Sequence, residues 1–226
     1  MTESPQALTE LPRFVDDFDA IIFDLDGTLW DASAVSAAAW DEAFSQLGLQ
    51  HRITAQDVRR VSGLPFETCV ATLCPEPSDV SMEALIRILD GVEKLAFQRT
   101  GGRLYDEVSQ GIRLLASQYP LFIVSNCQTW YLESFLDVTG LRDCFRDYES
   151  HGRTGQPKSE NIAAVVRRNG LENPVYIGDT AGDQAAAADS GVAFIHARYG
   201  FGRVEEPCRS FSSFAELTAY FTTQRS

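Results

Sequence analysis

The sequence predicts an α/β protein: a Rossmann-like open parallel sheet with helices on both faces, carrying a small inserted all-α unit. Two observations predict it. Four short apolar runs, Ala20–Phe23, Leu121–Val124, Val175–Ile177 and Val192–Ile195, are unbroken rather than alternating, as strands buried on both faces require. The runs are also separated by helical patterns, which makes βαβ units.

The elements follow in chain order. After the first run comes an interval too long for one crossover: residues 26–120 number 95, whereas a whole βαβ unit takes on the order of 30. Its central part, about residues 32–100, reads as helix. Val35, Ala39, Ala43 and Leu47 share one face, as do Phe66, Val70 and Leu73; Met82, Leu85, Ile86 and Leu89 share another. Gly63-Leu64-Pro65 and Cys74-Pro75-Glu76-Pro77 punctuate the stretch. The division expected is therefore a core of residues 1–31 and 101–226 with a helical cap at 32–100. Its hinges are expected at the two crossings, near residues 29–33 and 100–103, where Gly101-Gly102 offers backbone freedom. Further on, Val108, Ile112 and Leu115 line a helix before the second run. Tyr131, Phe135 and Val138 line one after it, and Ile162, Val165 and Val166 line a third. Phe145–Tyr148 is a weaker strand signal, and Ala185–Ala188 reads as an alanine-rich helix.

Composition narrows the function. Nineteen Lys and Arg against 32 Asp and Glu give a formal charge of −13, which argues against a nucleic-acid partner and against a polybasic membrane anchor. Five cysteines without a CxxC pair, and three scattered histidines, form neither a disulfide framework nor a paired zinc spacing. The acidic, proline-broken N-terminus is no signal peptide, and no apolar stretch approaches a spanning length. A cytoplasmic protein, monomer or homodimer, is expected.

In open parallel sheets ligands bind beyond the carboxyl ends of the strands. The residues leaving the first three runs are Asp24-Leu25-Asp26-Gly27-Thr28-Leu29, Ser125-Asn126 and Gly178-Asp179-Thr180-Ala181-Gly182-Asp183, and Lys158 opens the helix before the third. Asp24 and Asp26, two apart, point the same way if extended; Asp179 and Asp183, four apart, share a face of a first helical turn. Converging carboxylates repel unless a cation sits among them, and an all-oxygen set suits Mg²⁺, which keeps waters and shares a substrate phosphate. Lys158, Ser125 and the backbone N–H groups of Gly27 and Asn126 are candidate holders of phosphate oxygens. An EF-hand is excluded, because its sixth and twelfth positions, counted from Asp24, fall on Leu29 and Val35. Gly200-Phe201-Gly202 lacks the third glycine of a dinucleotide fingerprint.

These motifs, in this order, resemble the haloacid dehalogenase-like superfamily over residues 20–200. The helical insert lies where one class of that superfamily carries its cap. The resemblance implies a phosphatase acting on a small phosphorylated metabolite. In it Asp24 would be the nucleophile and Asp26 the general acid and base. Mg²⁺ would be held by Asp24, the Asp26 carbonyl and Asp179, with Asp183 acting through water or Lys158. Asp26 separates the chain from true dehalogenases, which generally lack that second aspartate. Ser33–Trp40 and Gly63–Phe66 show neither the histidine nor the arginine of the sugar-phosphate mutases, which remain the alternative beside a catalytically silent metabolite binder. Gly63-Leu64-Pro65 and Tyr199–Gly202 look more like phosphoglycolate phosphatase-type members. Trp30, Arg59, Arg60 and Leu64 are candidate contacts to the leaving group.

Overall fold

The structure is a computed structural model that describes residues 17–74, 80–204 and 208–224. The Pro75–Pro77 punctuation and most of the proline-broken N-terminus lie outside them.

A six-stranded, all-parallel sheet runs in the order β5-β4-β1-β6-β7-β8. Its strands are β1 (Ala20–Phe23), β4 (Leu121–Ser125), β5 (Asp147–Ser150), β6 (Pro174–Gly178), β7 (Ala193–Ala197) and β8 (Arg209–Phe211). The other two, β2 (Trp30–Asp31) and β3 (Arg103–Leu104), form a separate antiparallel ribbon. The apolar runs are unbroken because alternate residues serve different cores. Ile21, Phe23, Leu121, Ile123, Val175 and Ile177 face one cluster. Ala20, Ile22, Phe122, Val124 and Tyr176 face the other.

The helices α5 (Val108–Ala116), α6 (Thr129–Thr139) and α10 (Phe214–Gln224) cover the first face, and α8 (Lys158–Asn169) and α9 (Ala181–Asp189) the second. A single turn, α7 (His151–Thr154), leads from β5 toward α8. The buried stripe of α6 is Tyr131, Leu132, Phe135 and Leu136, not the expected one through Val138, which is exposed. The strand β8, at the sheet edge, and the two-residue ribbon carry too few apolar residues for periodicity to announce them.

Between β2 and β3 run α1 (Ser33–Gln46), α2 (Ala55–Val61), α3 (Phe66–Leu73) and α4 (Met82–Thr100). They enclose a cluster of their own built on Trp40, Phe44, Val70, Leu85 and Leu89. Thr54 and Asp57 close a capping box on α2, and Ser81 caps α4. The two chain crossings are thus the paired strands of the ribbon. Gly101 ends α4 at φ +62°, and a Cβ on Gly102 would come within 2.7 Å of the Trp30 ring. These glycines are needed for fit as well as freedom.

Two other glycines give opposite expectations. A Cβ on Gly111 in α5 would meet Thr218 Oγ1 at 2.5 Å and Phe214 at 2.6 Å, where α5 packs on α10. Gly91, exposed in α4, would meet nothing within 4 Å. Gly111→Ala is expected to lose about 1–3 kcal/mol by overpacking, and Gly91→Ala to gain about 0.5–1 kcal/mol from helix propensity. Urea titration of both variants checks the pair; equal effects would contradict it.

Candidate active site

The site is built at the carboxyl edge of β1, β4 and β6. Beyond Phe23 the chain turns at once. Thr28 and Leu29 donate N–H bonds back to the Leu25 carbonyl, and Gly27 N–H donates to the Trp30 carbonyl at 3.0 Å. That bond corrects the expectation for Gly27: its N–H is spent on the turn and does not face a phosphate. Glycine is required there for another reason. Its φ is +81°, and a Cβ would lie 2.2 Å from Asp179 Oδ2.

Asp24, Lys158 and Asp183 form a buried triad. Lys158 Nζ donates to Asp24 Oδ1 at 2.9 Å and to Asp183 Oδ1 at 2.6 Å. The expected shared helical face for Asp179 and Asp183 is not what forms. Asp179 precedes the helix and Thr180 is the N-cap of α9; Asp183 closes a capping box with it, its Oδ2 accepting from Thr180 N–H at 3.0 Å and Thr180 Oγ1 at 2.6 Å. Burial pushes the Asp183 carboxyl up, but Lys158 and Thr180 outweigh it and hold it below the usual carboxylate range.

The other carboxylates are held less well. Burial lifts Asp24 from 3.8 to about 6 despite Lys158. Burial, with the charges of Asp183 and Asp24, lifts Asp179 to about 8 although Phe201 N–H and Gly202 N–H donate to its Oδ2 at 2.7 and 3.1 Å. One ammonium therefore answers three carboxylates, Asp24, Asp179 and Asp183, whose oxygens lie within 4.8 Å of one another. With all three ionised, two negative charges would be left over, and Asp24 Oδ2 and Asp179 Oδ1 are buried without a hydrogen-bond partner. Hard oxygen ligands, the uncompensated charge and the two orphaned oxygens all fit one divalent cation such as Mg²⁺. Replacing Asp179 by Asn should raise the stability of the metal-free protein at neutral pH, by up to about 4 kcal/mol. A carboxyl whose folded value is raised loses stability as pH climbs past its unfolded value, and the amide removes that penalty. If Mg²⁺ binds this cluster, it should raise the melting temperature of the parent and not that of the variant. Thermal melts with chelator and with Mg²⁺ check both signs.

Asp26 departs from its neighbour. Its Oδ1 accepts from the Tyr131 hydroxyl at 2.5 Å, so it does not share the Asp24 cluster. Burial carries it to about 7, with the Tyr131 hydrogen bond opposing and the charges of Asp24 and Glu93 adding. It borders a cavity of about 80 Å³ that also reaches Ser125, Asn126, Leu64, Glu93 and Tyr131. No Lys, Arg or His is among the described residues lining it. Asn126 Nδ2 donates to the Gly63 carbonyl at 2.7 Å, tying the β4 edge to the turn after α2.

The four sequence candidates for leaving-group contact separate here. Leu64 lines the cavity. Trp30 does not: it is wholly buried, packed on Phe97, Tyr131 and Phe135. Arg59 pairs with Asp31 at 2.6 Å and stacks on Phe201 in an outer cleft, and Arg60 pairs with Asp57. The sequence reading missed Tyr131, Glu93 and the Gly200–Gly202 turn as site residues. A Cβ on Gly200 would come within 2.4 Å of the Asp179 Cβ. Only Thr180 left a local signal, as the first member of the Thr-x-x-Asp capping pair.

Known proteins resemble this chain in sequence and in fold. The chain is 26% identical over 200 residues to the phosphoglycolate phosphatase of Vibrio vulnificus strain YJ016, covering 82% of this chain and 86% of that one. It is 26% identical over 197 residues to the phosphoglycolate phosphatase of Neisseria meningitidis, covering 83% of each. Among solved structures, a haloacid dehalogenase-like family protein from Streptococcus pneumoniae superposes with a TM-score of 0.76 at 24% identity, over 90% of this chain and 98% of that one. CbbY from Rhodobacter sphaeroides, in complex with phosphate, does so with a TM-score of 0.75 at 19% identity, over 88% and 96%. The family profile for haloacid dehalogenase-like hydrolases matches residues 21–197, the span that holds all four site-bearing strand ends and helix starts, and the chain belongs to that family.

Proposed function

We propose that this protein is a Mg²⁺-dependent phosphatase that hydrolyses a small phosphomonoester through an aspartyl phosphate on Asp24. The observation that carries the reading is the split between the two aspartates. Asp24 lies in the charged cluster with one oxygen on Lys158 and one free. Asp26 lies beside the cavity with its proton affinity near neutrality.

Asp24 Oδ2 attacks phosphorus and forms the acyl phosphate, while the bond from phosphorus to the substrate oxygen breaks. Asp26 gives its proton to that departing oxygen and then takes one from the water that cleaves the acyl phosphate, returning both aspartates to their starting states. Lys158 holds Asp24 in place through both steps, and Ser125 is positioned to bind the phosphoryl group. Asp24, Asp179 and the Asp26 carbonyl are the candidate holders of Mg²⁺, with Asp183 behind them through Lys158. The bound ion supplies positive charge to the phosphoryl oxygens.

Residues 32–100 act as a cap over this edge. Besides the Asn126–Gly63 bond, Trp130 Nε1 donates to Asp90 Oδ1 at 2.8 Å, joining α6 to α4. Closure of such a unit excludes water from the acyl phosphate. The absence of Lys, Arg and His among the described lining residues weighs against a sugar-phosphate mutase, which has to hold a second phosphoryl group there.

The test is aryl phosphate turnover with Mg²⁺ and with chelator, alongside mass spectrometry of acid-quenched enzyme. Turnover that requires the metal, with one phosphoryl group on the Asp24 peptide, supports the reading. Metal-independent turnover, or a label on another residue, refutes it.

A further inference from the structure

The buried stripe of α4 runs Leu85, Leu89, Glu93, Phe97, each four residues after the last. At this spacing all four point to one side of the helix, so a carboxyl occupies a position where the pattern calls for an apolar side chain. Glu93 is only 5% exposed, and it lines the cavity that Asp26 borders. A buried carboxylate costs stability unless something answers it. The groups beside it are Ser36 and Trp40 from α1, both neutral. They only partly oppose burial, which carries the carboxyl to about 7, and Asp90 adds to the rise; Trp40 Nε1 has no hydrogen-bond partner. The cations of the neighbouring site and cleft are engaged elsewhere, Lys158 with Asp24 and Asp183 and Arg59 with Asp31.

A ligand in this cavity therefore meets two carboxyl groups, Asp26 and Glu93, and no positive side chain among the described lining residues. We infer that Glu93 selects the leaving alcohol by accepting a hydrogen bond from an ammonium or hydroxyl that it carries, so that the substrate is the phosphomonoester of a small amino- or hydroxy-alcohol. This rests on the phosphatase reading above and adds its substrate class. A leaving group that carries a carboxylate, as phosphoglycolate does, would bring a further carboxyl group beside Asp26 and Glu93, where the described lining residues offer no cation to pair it. Such like-charge contact discriminates strongly between otherwise similar ligands. A purely structural Glu93, buried beside Ser36 and Trp40, predicts a loss of stability on substitution with no change in selectivity.

The experiment measures kcat and KM with Mg²⁺ for phosphoethanolamine, glycerol 3-phosphate and phosphoglycolate, with an aryl phosphate as a check on catalysis. The parent protein should favour phosphoethanolamine or glycerol 3-phosphate over phosphoglycolate by at least about tenfold in kcat/KM. In Glu93→Gln that preference should shrink by about tenfold, chiefly through KM, with the fold verified by circular dichroism. Glu93→Asp keeps the charge and should keep the order of the probes, which covers the case of a poorly folded glutamine variant. A parent that prefers phosphoglycolate, or hydrolyses only the aryl ester, overturns the inference. So does a folded Glu93→Gln with the parent's selectivity. If the parent hydrolyses none of the four, the phosphatase reading itself has failed.

Discussion

Asp24→Asn is expected to abolish turnover, by at least about 10⁴-fold, because it removes the proposed nucleophile and with it the covalent route. The more discriminating half of the expectation concerns stability. Burial raises the Asp24 carboxyl to about 6 from 3.8, against the pull of Lys158. A group whose proton binds more tightly in the folded state destabilises that state as pH rises from the unfolded value through the folded one. At pH 7 the ionised carboxylate is therefore a burden, and a neutral amide of the same size relieves it. Lys158 keeps Asp183 as a partner at 2.6 Å, so its own charge is not orphaned. The variant should melt at or above the temperature of the parent without metal while catalysing nothing. A folded Asp24→Asn protein that still hydrolyses an aryl phosphate at a near-normal rate would falsify the covalent mechanism.

Lys158→Met should do the reverse to stability. Lys158 is 6% exposed and is held well above its ordinary value, because the charges of Asp183 and Asp24 overcome the opposing cost of its burial. Taking it away leaves two buried carboxylates facing each other with no cation. Removing one member of a buried ion pair typically costs about 3–5 kcal/mol, which for a chain of this size is a fall of about 10 °C or more in melting temperature. The pH dependence identifies the cause. In the parent, Asp183 lies below the usual carboxylate range and contributes stability that is present above its unfolded value and lost as pH falls through the folded one. In the variant both carboxyls are destabilised as anions, so the deficit relative to the parent should narrow as pH falls from about 7 toward 5. Urea titrations of both proteins at several pH values measure this. A deficit that stays constant with pH would point to lost packing of the lysine stem instead. Turnover should fall as well, since Lys158 orients Asp24.

The sequence by itself determined the sheet, the helical insert and the strand edge where the candidate site residues gather. Unbroken runs such as Ala20–Phe23 and Leu121–Val124 are legible because a strand covered on both faces has no position left for a polar residue. The carboxylates of Asp24, Asp179 and Asp183 were legible because charges at the carboxyl ends of buried strands have few structural uses. What only the tertiary structure decided are relations across long chain separations. Gly27 was legible as a turn residue, but its need to clear Asp179 arises from strand ends 152 positions apart in the chain. Trp30 looks like a ligand contact from its neighbours in sequence and becomes core only because Phe97, Tyr131 and Phe135 close around it. Tyr131, a helix residue by pattern, acquires a site role only when α6 brings its hydroxyl to Asp26. Glu93 reads as one more charge on a long helix until packing turns it inward beside a cavity. Periodicity reports which face of an element is covered; which buried polar group meets which depends on the packing of elements far apart in sequence, and that has no local signature.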